Sequence, residues 1–247
     1  MSEEVFNEIC KIQGFTALPE EAQNFFKNVC SQVNSETKQI YIKSDQSVML
    51  FKNQTLESPA IAKILNFFDD VSAEITYPSE DYESIYPLYT GLKKKDLTKL
   101  KLVINFSGVQ EIGDKFQFND MINSVIIDSS VTSISHHSFF KCVSLAQVLI
   151  PSSITAIGKN AFDQCGSLNQ VLFDLPSAVT TIEDSTFNEC TSLKQITIPD
   201  SVTTIADNAF KNCSAIEQIT LPKTVTTIGN NVFNGCKALN EIAIPET

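Results

Sequence analysis

The 247-residue sequence predicts an α/β solenoid of parallel-stranded coils over residues 101–247, preceded by a small α+β domain over residues 37–100 and a helical segment over residues 1–36. Three observations predict it. The pattern I-P-x-x-[VI]-T-x-I-x-x-x-x-F-x-x-C recurs, with Pro151, Pro176, Pro199, Pro222 and Pro245 in one slot and Asp128 in the slot before them. Its cysteines, Cys142, Cys165, Cys190, Cys213 and Cys236, are separated by 23, 25, 23 and 23 residues, the long step arising where Asp174-Leu175 is inserted before Pro176. Ahead of the repeats the grammar changes to alternating helical and strand patterns. A unit this short cannot bury an apolar face alone, so units at a fixed period stack on one another.

Taken in order, residues 3–33 place Val5, Phe6, Ile9 and Ile12, then Ala22, Phe25, Phe26 and Val29, at helical spacing split by Gly14 and Pro19. Two short helices are expected. The segment KQIYIKSDQSVMLF from Lys38 alternates as two strands about a Ser44-Asp45-Gln46 turn. A helix follows from Ser58 (SPAIAKILNFF), a strand from Ala73 (AEITYP), and a helix from Ser79 (SEDYESIYPLYTG) with Ser79 as its N-cap. The stretch LKKKDLTKLK from Leu92 reads as a solvated connecting helix.

Each repeat opens with a strand: LAQVLI from Leu145, LNQVLF from Leu168, LKQITI from Leu193, IEQITL from Ile216 and LNEIAI from Leu239. Alternation sends the first, fourth and sixth residues inward and the third and fifth outward. Proline ends the strand, its missing N–H and fixed φ suiting a corner. The tetrads at Val131, Ile154, Val179, Val202 and Val225 give a second apolar column with threonines facing out. A short helical turn then brings in Phe139, Phe162, Phe187, Phe210 and Phe233 before the cysteine closes it. Val103 to Phe118 keeps the strand and the phenylalanine but not the cysteine, as a divergent first coil would, and IAIPET opens a further repeat, so that either the chain continues or a partner covers its last coil.

These residues resemble the BspA-like leucine-rich repeat family, with its [IL]-P-x-x-V-x-x-I-x-x-x-A-F-x-x-C core, over about residues 122–247. That resemblance implies a binding or adhesion protein without catalytic activity. In front of it, Ile40, Ile42, Ser44, Asp45, Leu56, Ser58, Pro59, Ile61, Ile64, Leu65, Ile75, Tyr86 and Tyr89 to Gly91 resemble a BTB/POZ domain over about residues 38–92. The second resemblance implies an intracellular adaptor that docks a cullin scaffold of a ubiquitin ligase, or a homo-oligomer.

Composition narrows the partners. The net charge is -11 and all 18 basic residues are lysine. Phosphate and base recognition lean on arginine and a basic face, which argues against nucleic acid and an anionic membrane surface. The start MSEEVFNEICKIQGF lacks the basic-then-apolar layout of a secretory signal, and no window has the length of a membrane span. A cytoplasmic location is expected, the alternative being the cell surface by a route without a signal peptide. Seven cysteines, five at one repeat position, read as reduced packing residues rather than a disulfide framework. The sequons at Asn53, Asn105 and Asn212 then carry no glycosylation signal.

No catalytic, cofactor or metal motif emerges. His136 and His137 are adjacent in a solvated turn slot, and a Cys142-histidine nucleophile would need a base in reach and an orienting third group. Zinc spacing and phosphate-cradling glycine loops are missing from the sequence. The functional candidates are the two outward strand columns, and the expected ligand is a protein or peptide. The third strand position gives Ser124, Gln147, Gln170, Gln195, Gln218 and Glu241, and the fifth gives Ile126, Leu149, Leu172, Thr197, Thr220 and Ala243. The glutamines are either a self-satisfying amide ladder or a binding column. Ile126, Leu149 and Leu172 form an apolar strip, either an interface or a surface covered by the N-terminal domain.

Overall fold

The computed structural model describes residues 7–12, 15–18, 20, 23–24, 26–27, 39–42, 70–77 and 100–243. The chain divides into two compact units, Met1–Ile104 and Asn105–Thr247.

In the first unit residues 7–10 are helical, a 3-10 turn spans Phe15–Ala17, and helical residues recur at 20, 23–24 and 26–27. Ile9, Leu18 and Phe26 are buried, Ile9 and Phe26 as their helical spacing implies. The Gln23 side-chain amide donates to Leu18 O at 2.8 Å. Strand β1 (Gln39–Ile42) pairs in parallel with β2 (Asp70–Tyr77), Gln39 opposite Asp70 and Ile42 opposite Ala73. The strand expected from Ala73 therefore starts earlier, because pairing with β1 recruits Asp70 to Ser72. Parallel strands need a crossover of a dozen residues or more, and the helix expected from Ser58 falls in that interval, outside the described residues. The turn at Ser44 and the helix from Ser79 also lie outside them. Leu100 and Lys101, expected in a connecting helix, belong instead to strand β3 (Leu100–Phe106).

The second unit alternates two strand columns and a turn. The long strands are β5 (Ile122–Ile127), β7 (Gln147–Ile150), β9 (Gln170–Phe173) and β11 (Gln195–Ile196), adjacent in that order. A Thr197–Thr220 bridge leads to β13 (Gln218–Thr220), which pairs with β15 (Glu241–Ala243). All these pairings are parallel, so every coil repeats the one before. The tetrads form short strands in two pieces: β4 (Glu111–Ile112), β6 (Ser133–Ile134) and β8 (Ala156–Ile157), then β10 (Thr181–Ile182), β12 (Thr204–Ile205) and β14 (Thr227–Ile228). The break between β8 and β10 falls at the coil lengthened by Asp174-Leu175.

The expected helical turn before each cysteine is not a helix. It is a run of β-turns with left-handed residues in two columns, His137, Asn160, Ser185, Asn208 and Asn231, and Lys141, Gln164, Glu189 and Asn212. Alternate amides close local turns, such as Phe140 N to His137 O at 3.1 Å, while those between bond the next coil, such as Phe139 N to Ala161 O at 2.8 Å. A helix would spend all its amides locally. The stack recruits half of them between coils.

Phenylalanines fill the interior. Phe139, Phe162, Phe187 and Phe210 are fully buried, and their rings stack at centroid distances of 5.3, 5.6 and 5.5 Å with interplanar angles of 12° or less. Phe116 of the divergent coil joins at 6.0 Å and Phe233 at 6.0 Å, so the column is continuous over six coils. Gly158 lets two coils approach closely: a Cβ there would sit 2.5 Å from the His136 main-chain nitrogen.

Candidate binding surface

Alternation along the long strands fixes what they present. Val148, Val171, Ile196 and Ile219 point inward and are buried, while the flanking positions face solvent. Register aligns the outward positions into columns: Ser124 opposite Gln147, Gln147 opposite Gln170, Gln170 opposite Gln195, and Leu149 opposite Leu172. Ile126, Leu149 and Leu172 are 43%, 47% and 49% exposed, on three successive strands. A run of half-exposed large aliphatics on adjacent strands differs from the scattered surface apolar residues every protein carries. Thr197 and Thr220 continue the column as polar residues, and Ala243 ends it.

Among the described residues, no hydrogen bond joins the amides of Gln147, Gln170, Gln195 and Gln218 to one another. Beside this column lies a groove of about 870 Å³ lined chiefly by Asn169, Gln170, Ser192, Lys194, Gln195 and Glu217. The apolar strip lies on β5, β7 and β9, and the groove runs from β9 to β13, so the two share the β9 coil.

Among the described residues, the charges immediately past the C-terminal ends of β5, β7 and β9 are Asp128 and Asp174. The Asp128 carboxyl is held below the usual carboxylate range by the hydroxyls of Ser107 and Ser130 and the Ser130 amide. Asp174 is exposed, and its amide donates to Ile150 O at 2.9 Å.

Side-chain ladders that sequence reading missed hold this face in register. Each of the five repeat cysteine thiols donates to the phenylalanine carbonyl of the preceding coil: Cys142 to Phe116, Cys165 to Phe139, Cys190 to Phe162, Cys213 to Phe187 and Cys236 to Phe210, at 3.0 to 3.2 Å. Cys142, Cys165, Cys190 and Cys213 are buried free thiols, and Cys236 is half-buried. In the divergent coil Asn119 takes the cysteine slot, buried, with its Oδ1 accepting from the amides of Met121 and Ile122 at 2.9 and 3.2 Å. A hydroxyl column before the tetrads bonds backward as well, Ser153 to Val131 O, Ser201 to Val179 O and Thr224 to Val202 O at 2.6 to 2.8 Å. The Ser or Thr just before Val131, Ile154, Val202 and Val225 was the available signal.

The pattern of residues 171–247 matches the family described as "BspA type Leucine rich repeat region (6 copies)". Residues 171–247 are a BspA-type leucine-rich repeat region. Similar solved structures include a leucine-rich repeat protein of T. pallidum, 29% identical over 57% of this chain with a TM-score of 0.46. Another, from Bacteroides ovatus, is 33% identical over 47% with a TM-score of 0.43, and a leucine-rich cell surface protein of Faecalibacterium prausnitzii is 22% identical over 72% with a TM-score of 0.43. The chain spans 62%, 29% and 65% of those structures, under two thirds of each. No curated protein matches the sequence. The resemblance of residues 38–92 to a BTB/POZ domain is not shown by these matches, and of its residues only Ile40, Ile42 and Ile75 fall in described strands.

Leucine-rich repeat solenoids are typically non-enzymatic, and in this one the His136 side chain joins adjacent coils. His136 Nδ1 accepts the Lys159 amide at 2.9 Å, an inter-coil bond of the kind Asp207 Oδ1 accepts from the Asn230 amide at 2.6 Å three coils on. The Cys142 thiol is pushed up to about 12 by burial, the opposite of the depressed thiolate a nucleophile needs. Among the described residues there is no cluster of three or more His, Cys, Asp or Glu side chains placed to hold a metal, and no helix is long and apolar enough to cross a membrane.

Proposed function

We propose that this is a non-enzymatic interaction protein that binds a protein or peptide through the exposed face of its repeat sheet, with Ile126, Leu149 and Leu172 as the apolar anchor and Gln147, Gln170, Gln195, Thr197, Gln218 and Thr220 as the polar continuation. One observation carries the reading: three half-exposed aliphatic side chains in register on adjacent strands, beside a column of amides with no hydrogen bond to one another. Burying the exposed part of each aliphatic stabilises a complex by roughly 1 kcal/mol. The strip alone gives weak binding, and affinity requires the glutamine column and the groove.

The test is selection of a phage-displayed random-peptide library on the full chain, followed by binding to the Leu149→Asp, Leu172→Asp double variant. Selected peptides that lose binding to a variant of unchanged thermal stability support the face. Peptides that bind the folded double variant as well as the parent refute it. Buried unpaired thiols suit a reducing compartment, which supports a cytoplasmic site of action. Surface biotinylation of intact cells labelling the protein would move it to the cell surface.

A further inference from the structure

The lengthened coil is where the repeat departs from its own rules, and the departures coincide. The amide-to-carbonyl step that joins Thr155 to Thr132, Thr203 to Thr180 and Thr226 to Thr203 has no counterpart between Thr180 and Thr155 among the described residues. The hydroxyl column is broken at the same coil, where Ala178 stands in place of the serine or threonine found at Ser153, Ser201 and Thr224. What the coil presents instead is Leu175, 71% exposed, three residues past Leu172 at the end of the apolar strip's last strand. Asp174 lies between them, exposed, as the strip's acidic end.

We propose that Asp174-Leu175 is a specificity element of the binding face, and that the face takes an extended protein segment with an apolar stretch flanked by a lysine or arginine. The proposal rests on the repeat sheet being the binding face. Leu175 lengthens the apolar strip past the strand end, where the corners after β7, β11 and β13 turn away at Pro151, Pro199 and Pro222. The electrostatics select the flank: the chain carries a net charge of -11, and the outward positions of β5, β7 and β9 are uncharged, with Asp128 and Asp174 the charges immediately past their C-terminal ends. A basic flank meets a carboxylate there, and an acidic one meets repulsion at the same point and in the field of the whole chain.

The probe is a set of fluorescent peptides sharing one extended apolar core and differing only in the residue at one end, Lys, Gln or Glu, titrated by anisotropy at low salt against the full chain. The Lys peptide is expected to bind about fivefold tighter than the Glu peptide, with the preference shrinking as salt rises. Asp174→Asn should halve that preference or more. Leu175→Ser, a change at an exposed site, should weaken all three peptides by about tenfold and leave their order intact. Deleting Asp174 and Leu175, which restores the 23-residue step, should do both. Unchanged affinity and preference in folded Leu175→Ser and deletion variants, with binding still lost in Leu149→Asp, Leu172→Asp, overturns the role of the insertion and leaves the face. No peptide showing sensitivity to Leu149→Asp, Leu172→Asp overturns both.

Discussion

The buried thiols make the protein's stability fall in mild alkali. Cys142, Cys165, Cys190 and Cys213 are buried, and burial raises every one of them above an ordinary thiol. An exposed thiol in the unfolded chain titrates near 8.5. Between about pH 8.5 and 12 the native state keeps protons that the unfolded state has shed, so stability drops as pH rises through that window. Below about pH 7.5 both states hold the proton and the thiols add no pH dependence. At pH 9.5 each protonated native thiol costs about 1.4 kcal/mol, and four cost roughly 5.5 kcal/mol, a large share of a typical domain's stability.

The measurement is urea unfolding under a phosphine reductant at pH 7.5 and 9.5, on the parent and on Cys190→Ser. Serine keeps a donor for Phe162 O and removes one ionisable group, so the variant should lose about 1.4 kcal/mol less than the parent over that interval. Tyrosines and lysines titrate equally in both proteins and cancel. Equal losses in parent and variant would refute the reasoning, because a thiol that ionises in place is not held by burial.

Leu149→Asp with Leu172→Asp should shift stability by no more than about 0.5 kcal/mol, since both side chains already face solvent; thermal melts check it. Gly158→Ala should destabilise by about 1–3 kcal/mol, because the new Cβ meets main-chain atoms of Ser135 and His136 at 2.6 and 2.5 Å that cannot swing aside; chemical denaturation reads it. Phe187→Ala, which removes a ring stacked on both sides, should cost about 3–5 kcal/mol, and Phe233→Ala clearly less, because Phe233 is half-buried and stacks on Phe210 alone within the described column.

Strand, corner and apolar columns were legible because a solenoid writes the same local problem at every period, and solutions repeat in register with it. Inward Val148 and Val171 and outward Leu149 and Leu172 follow from alternation alone. What periodicity could not decide is where main-chain amides go. The Ala-Phe turn carries apolar residues at a spacing that suits one helical turn, and only the inter-coil bonds, such as Lys141 N to Asp163 O at 2.9 Å, show that the stack claims those amides first. The cysteine was legible as a small buried residue but not as a donor, since its partner, a phenylalanine carbonyl one coil back, is main chain and leaves no mark in the sequence. Burial alone would be met by alanine or valine; a capped carbonyl in every coil is met by a thiol and, in the divergent coil, an asparagine amide holds the slot by bonding its own following turn. A repeat that bonds forward and backward through its interior leaves its sheet face free of structural duty. That freedom is why the outward column can change from Ile and Leu to Thr and Ala along one solenoid without disturbing the coils behind it.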